Sequence, residues 1–314
     1  MDNKITVAVV SWYSTANIQA LFTSAQANAT SDLDFIICDN TDGKDCELHD
    51  SLGNAHRIIS FSPDVPAVYR RKRRYGSYAH GSALNMLLHQ IKTEYCLFAD
   101  PDCLILASGW DQICRQAIAA PMMAFGAPYH SCKIPKYHNF PSPIFIFFRT
   151  EEFRKIGADW TPYKVPLSVE AWDQMRRILA IAGSGLGRRI AGRSFYLSRV
   201  AEIMRQVLGN SGKDTGWRIA AQARRRQYQA NLLTTALVNT QLHPIYATQP
   251  SVQELMNRFE LFLWQGIPFV THYYGSPYRK YGNIDQAIDY WRGLAQVVSQ
   301  VQGSKIPTEL LAGV

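Results

Sequence analysis

What most constrains this chain is an alternation in its first third. Near-continuous apolar runs take turns with segments of helical spacing. "ITVAVVSW" (5–12), "LDFIICDN" (33–40), "HRIISFS" (56–62) and "YCLFAD" (95–100) read as strands. "TANIQALFTSAQAN" (15–28) and "SYAHGSALNMLLHQIK" (77–92) read as helices between them, and "GWDQICRQAIAA" (109–120) as another after them. A strand that is apolar at nearly every position needs cover on both faces. The order therefore predicts an α/β fold, with a largely parallel sheet flanked by helices. In such sheets ligands bind beyond the carboxyl ends of the strands. Ser11, Trp12, Asp39 and Asp100 all fall at such ends.

Further along, "MMAFGAPYH" (122–130) and "SPIFIFFRT" (142–150) read as strands. Residues 163–210 read as an Arg-rich helical insertion, interrupted by "GSGLG" (183–187). No strand precedes that glycine turn, so it reads as a helix break rather than a phosphate loop. "DTGWRIAAQARRRQ" (214–227) is helical, "HPIYAT" (243–248) and "IPFVTHYYG" (267–275) are strand-like, and an amphipathic helix is expected from about 284 to 301. The expected organisation is an α/β half over 1–160 and a second half over 161–314, joined as one continuous domain.

The composition allows a large core: 314 residues, 47% hydrophobic and 18% charged. No apolar run reaches the ~18 residues of a spanning helix, and the N-terminal run is too short and wrongly flanked for a signal peptide. The six cysteines (38, 46, 96, 103, 114, 132) form no CxxC pair and read as reduced thiols of a cytoplasmic protein. "HSC" (130–132) with His138 offers too few ligands for zinc. The net charge of +8 is concentrated in "RRKRR" (70–74), in 187–206 and in "ARRR" (223–226). Such patches attract phosphates or anionic lipid. The 187–206 segment interleaves arginines with apolar residues, which predicts peripheral contact with an anionic membrane or a lipid-linked acceptor; an ordinary helix packed on the core fits the same pattern.

The run "YCLFADPDCLIL" (95–106) carries Asp100 and Asp102 on either side of a proline. Buried charge is costly unless paired or bound to a metal. Asp and Pro also suit a simple turn. In its setting the pair resembles the Asp-x-Asp of nucleotide-sugar glycosyltransferases of the GT-A fold, nearest to the inverting family two. The resemblance rests on "VAVVSWYSTANIQALFTS", "FIICDNTDG", "GSYAHGSALNMLLHQIKTEYCLFADPDC" and "SPIFIFFRTEEFRKIG", and covers residues 4–157, half of the chain.

The resemblance implies a GT-A-like, Rossmann-type sheet and a donor lying over the first, second and fourth strand ends. Ser11 and Trp12 would lie at its floor and Asp39 at the base, with Asn85 of the following helix also on the donor side. Asp102 would hold Mn²⁺ or Mg²⁺ directly, with Asp100 at the metal or the ribose. His272 in "FVTHYYG" would be a further metal ligand, or else a buried structural histidine. Asp214 would be the general base, and it is equally apt as a helix N-cap; its rivals are Glu170 and Asp173. Arg279 and Lys280, on a Pro/Gly-rich loop, would clamp the diphosphate. The implied partners are a nucleotide-sugar donor and a glycan, glycolipid or other hydroxyl acceptor, with no nucleic acid. Two other readings stay open. A sugar-phosphate nucleotidyltransferase would want a Gly-rich basic loop after the first strand, which "SWYSTAN" lacks. A non-enzymatic basic module binding RNA or membrane would leave the strand-end acids without a purpose.

Overall fold

The computed structural model describes residues 4–66, 74–119, 121–129, 140–162, 215–237, 240–273 and 284–303. Strands β1 (Ile5–Ser11), β2 (Leu33–Asp39), β3 (Arg57–Ser60) and β4 (Tyr95–Ala99) lie side by side in the order β3-β2-β1-β4, all parallel. Beyond β4 come β7 (Phe145–Arg149) and β6 (Met122–Gly126), both joined by antiparallel ladders, and then β8 (Gln229–Leu232), parallel to β6. This seven-stranded sheet is mostly parallel and flanked by helices, as the alternation predicts.

The helices are α1 (Thr15–Asn28), α2 (Cys46–Leu52), α3 (Arg74–Gln90), α4 (Trp110–Ala117), α5 (Thr150–Lys155) and α6 (Trp217–Arg225), with α7 (Pro244–Ala247), α8 (Pro250–Arg258) and α9 (Ile284–Gly303) toward the C-terminus. The continuous apolar reading of β1 has its reason in the two cores. Ile5, Val7 and Val9 face one, with Ile18, Leu21 and Phe22 of α1. Ala8 and Val10 face the other, with Ala83, Leu84 and Leu87 of α3.

A second, four-stranded sheet has the order β5-β11-β10-β9, from β5 (Cys103–Ile105), β11 (Ile267–His272), β10 (Glu260–Trp264) and β9 (Thr234–Thr235). It packs with α8 and α9 around Leu104, Leu261, Val252, Leu255 and Trp291. The apolar run at 95–106 is thus two strands in two sheets. Its Asp-Pro-Asp is the crossing point, because proline cannot donate to a ladder.

Where β5 goes is fixed from α1. Asn28 donates to the Ile105 carbonyl (3.0 Å), Ser24 Oγ accepts from Ile105 N (3.1 Å), and Trp110 Nε1 donates to the Ala25 carbonyl (3.0 Å). Asp111, fully buried, accepts from Thr30 N, Thr30 Oγ1 and Ser31 N at 2.8–3.0 Å.

One expected strand does not form. "HPIYAT" is not a strand: residues 244–247 form the short helix α7, with Pro244 in its first turn, where the fixed φ favours a helix start. The insertion expected over 163–210 and the glycine turn at 183–187 lie outside the described residues. Among the described cysteines all five are free, four of them buried and Cys46 exposed.

Candidate active site

Asp100 and Asp102 sit where the chain leaves one sheet for the other. Asp100 N donates to the Ile144 carbonyl (3.2 Å), which holds the end of β4 against the start of β7. Three residues later the chain enters β5, whose register with β11 pairs Cys103 with His272. Tyr273 N closes the ladder on the Asp102 carbonyl (3.0 Å). That register brings His272 beside the aspartates. Its Nε2 lies 3.2 Å from Asp102 Oδ1 and 3.8 Å from Asp100 Oδ2. One ligand atom from each of the three residues falls within 4.8 Å of the others.

The surroundings favour a cation. In the β10–β11 hairpin Glu260 is paired with His272, and Glu260 Oε2 lies 2.7 Å from His272 Nδ1. His272 is 2% exposed. Burial disfavours its imidazolium, but the carboxylates of Asp102 and Glu260 outweigh burial and push its pKa up to about 10 in the protein alone. Two carboxylate oxygens and one imidazole nitrogen are a suitable donor set for a small divalent ion that completes its shell with water or phosphate. The residues present therefore fit the metal that the resemblance implies.

A pocket of about 410 Å³ opens beside the acids. The end of β1 and the turn after it supply Trp12 and Ser14, the end of β2 supplies Asn40, α3 supplies His80, and Asp100 and Pro101 form the near wall. The parallel registers pair Ser11 with Asp39 on one side of β1 and Val9 with Ala99 on the other. The strand ends bearing Asp39 and Asp100 are therefore about 10 Å apart, two strand spacings. Trp12 is on the lip rather than the floor: it is 54% exposed, with the Tyr13 ring edge-on at 5.7 Å. Ser11 Oγ and Asn40 Oδ1 are buried and have no hydrogen-bond partner among the described residues.

His80 went unnoticed in the sequence. Its Nε2 lies 3.7 Å from Asp100 Oδ1, so Asp100 has an imidazole on each side. The available signal was helical spacing, since Gly76, Ala79 and His80 share one face of α3 and all line the pocket.

Two expected donor-side residues are engaged within the protein. Asp39 is fully buried, and its carboxylate accepts from Thr41 N, Thr41 Oγ1, Gly43 N and His49 Nε2 at 2.6–3.0 Å. Burial alone would raise its pKa, but the bonds from Thr41 and His49 outweigh it and hold the carboxyl below its ordinary value. Asp39 thus shapes the loop after β2, and its neighbour Asn40 lines the pocket. Asn85 donates to Asp159 Oδ1 (2.9 Å) and accepts from Trp160 N (2.8 Å), which fastens α3 to the segment after α5.

Asp214, its rivals Glu170 and Asp173, Arg279, Lys280 and the basic segment 187–206 lie outside the described residues. The chain just after Asp214 is firmly held. Thr215 Oγ1 donates to the Ser77 carbonyl (3.1 Å) in the first turn of α3, and Gly216 N to the Trp160 carbonyl (2.9 Å). Arg218, in the first turn of α6, is ion-paired with Asp159. Arg224, Arg225 and Arg226 are exposed at the end of α6. No helix among the described residues is long and apolar enough to cross a membrane.

The chain matches no described protein family and no curated protein. Among solved structures it is similar to a mannosyltransferase from Pyrobaculum calidifontis in complex with GDP-Man and Mn²⁺ (12% identity, TM-score 0.36, 50% of this chain and 47% of that one). It is also similar to S. aureus TarS in complex with UDP-GlcNAc (15% identity, TM-score 0.34, 50% and 48%). A third is glucosyl-3-phosphoglycerate synthase from Mycobacterium tuberculosis in complex with Mn²⁺, UDP and glucosyl-3-phosphoglycerate (14% identity, TM-score 0.34, 48% and 57%). The chain spans about half the length of the solved structures it matches, and the likeness is one of fold.

Proposed function

We propose that the protein is a metal-dependent glycosyltransferase that moves a sugar from a nucleotide-sugar donor to an acceptor hydroxyl with inversion. The observation that carries this reading is the convergence of Asp100, Asp102 and His272 on one point beside a pocket at the carboxyl edge of parallel strands.

The residues divide the work by chemistry. Asp102 and Asp100 offer hard oxygen donors and His272 a nitrogen. Mn²⁺ or Mg²⁺ held there would offset the diphosphate charge and act as a Lewis acid for the leaving group. Asn40, on the pocket wall, carries a buried Oδ1 that a nucleoside would satisfy, and an unsatisfied buried polar group costs ~1–3 kcal/mol. The exposed Trp12 ring offers a face for stacking. Asp39 holds the loop that presents Asn40. His80 is placed to donate to a phosphate oxygen near Asp100.

Inversion requires a base on the side of the sugar opposite the diphosphate. We assign it to Asp214. Support comes from its sequence neighbour Thr215, bonded to the carbonyl of Ser77 in the helix that lines the pocket. Arg279 and Lys280 are assigned to the diphosphate from their place in the sequence, seven and eight residues beyond His272. In this reading residues 1–160 form most of the donor site, and the acceptor-side half, 161–314, adds His272, Arg279 and Lys280 to it. The test is a binding screen of sugar nucleotides with and without divalent metal, followed by detection of released nucleotide.

A further inference from the structure

We propose that Glu260 is the positioning residue of this site: it fixes the orientation of the His272 ring and thereby sets both the affinity for the metal and the preference for Mn²⁺ over Mg²⁺. The inference rests on the metal reading given above. No residue near Glu260 attracts attention in the sequence, and the β10–β11 register alone puts it opposite His272.

The geometry leaves one arrangement of the ring. An ionised carboxylate only accepts hydrogen bonds, so the 2.7 Å contact requires the Nδ1–H of His272 to donate to Glu260 Oε2. The other nitrogen, Nε2, then faces Asp102 and Asp100 at 3.2 and 3.8 Å. With the Nδ1 proton held by Glu260, Nε2 is the nitrogen that gives up its proton to an incoming ion and presents its lone pair. The strand beneath is also pinned. Trp291 Nε1 of α9 donates to Thr271 Oγ1 (3.0 Å), and Thr271 Oγ1 donates to the Glu260 carbonyl (2.9 Å). The residue before His272 is thereby tied to the backbone of Glu260 and to the C-terminal helix.

A purely stabilising role fits poorly. Glu260 is 6% exposed and His272 2%. A buried ion pair is often no better for stability than apolar residues of the same volume. The pair gains a purpose if the imidazole has a second task at Nε2. Metal-bound histidines commonly use a carboxylate in this way, and losing it typically costs about 10–100-fold in metal affinity. The selectivity follows from donor type. Carboxylate oxygens suit Mg²⁺ and Mn²⁺ alike, whereas an imidazole nitrogen favours the transition ion. A ring that is no longer held contributes less, and the preference for Mn²⁺ shrinks with it.

The experiment is a titration of the full chain with Mn²⁺ alone, counting the free aqua ion by electron paramagnetic resonance, with Mg²⁺ measured by competition. Wild type, Glu260→Gln, Asp102→Ala, His272→Ala and His272→Ala/Glu260→Gln are compared. The expected result for Glu260→Gln is a Mn²⁺ dissociation constant raised about 10–100-fold and a smaller change for Mg²⁺. With His272 removed, the further Glu260→Gln change should alter Mn²⁺ affinity by less than about twofold, since the effect acts through the ring. Should Glu260→Gln fold poorly, the comparison of the two His272→Ala proteins still decides: a large additional loss there overturns the proposal. A wild-type Mn²⁺ constant in Glu260→Gln overturns it as well, whatever happens to thermal stability. If instead wild type and Asp102→Ala titrate alike, the metal reading falls and this proposal with it. Mn²⁺ affinity lost in Asp102→Ala but kept in Glu260→Gln defeats this proposal alone.

Discussion

His272 Nε2 lies 3.2 Å from Asp102 Oδ1 because β5 and β11 pair in the register that sets Cys103 opposite His272. One histidine from near the end of the described chain thus completes a pair of acids from its first half. That ladder carries the functional reading, and it can be tested residue by residue.

Asp102→Ala removes a donor from the cluster without touching either core. Saturable Mn²⁺ binding should disappear, and metal-dependent turnover should fall at least about 10²-fold, matching the several kcal/mol a Lewis acid supplies. The folded state should survive, as judged by an unchanged circular dichroism spectrum and a cooperative melt. Wild-type turnover in this variant would refute the metal role.

Asp214→Asn separates catalysis from binding. A general base contributes typically about 10²–10⁴-fold, so kcat should fall by that factor while the donor KM stays near the wild-type value. A raised KM with kcat preserved would make Asp214 a ligand, and a lowered Tm alone would make it a helix cap. The base would then be sought at Glu170 or Asp173.

Gly81→Ala tests how α3 carries His80 to the pocket. A Cβ built at Gly81 falls 2.4 Å from the Trp160 carbonyl oxygen and 2.9 Å from Thr161 Cα, both backbone atoms. The helix must shift away, and overpacking of this kind costs roughly 1–3 kcal/mol. The urea midpoint should drop accordingly, and donor affinity with it, since α3 lines the pocket. An unchanged midpoint would mean that the segment at 160–161 yields freely.

Acid sensitivity should trace to Asp39 and Asp111. Both are buried; burial raises their pKa, and their hydrogen bonds more than reverse it, so each lies below its ordinary value when folded. A depressed folded pKa contributes stability that is present above the unfolded value of about 3.9 and is lost as pH falls through the folded value. Denaturant midpoints should therefore be flat with respect to these groups from neutrality down to about pH 4 and fall steeply below it. In Asp111→Asn the fall should be shallower, from a lower starting midpoint. An equal acid slope in wild type and variant would assign the sensitivity elsewhere.

The parallel half was legible because two-sided burial writes itself as continuous apolar runs: β1, β2 and β4 appear within a residue or two of their expected ends. Helix α1 matches its expected span, 15–28. The second sheet was harder to see. Only its β11 was read as a strand, and its partner "ELFLW" was missed although the turn between them, Gln265–Gly266, has positive φ at both positions, as a two-residue hairpin demands. The acids were visible as buried charge at a strand end. Glu260 and His80 were not, since their meaning comes from a cross-strand register and a helix face rather than from their sequence neighbours. Nor could the sequence show that Asp39 and Asn85 would be engaged by Thr41, His49, Asp159 and Trp160.

A sugar nucleotide and a divalent ion should occupy this site together. The most direct measurement is the thermal shift of the full chain with UDP-, GDP-, dTDP- and CMP-sugars, each with Mn²⁺ and again with EDTA. A ligand at ~100-fold excess over its dissociation constant stabilises by about 2.7 kcal/mol, which a melt resolves clearly. At least one nucleotide class should raise Tm in Mn²⁺, and EDTA or Asp102→Ala should abolish the shift. No shift with any donor in Mn²⁺, or an equal shift in EDTA, would contradict it.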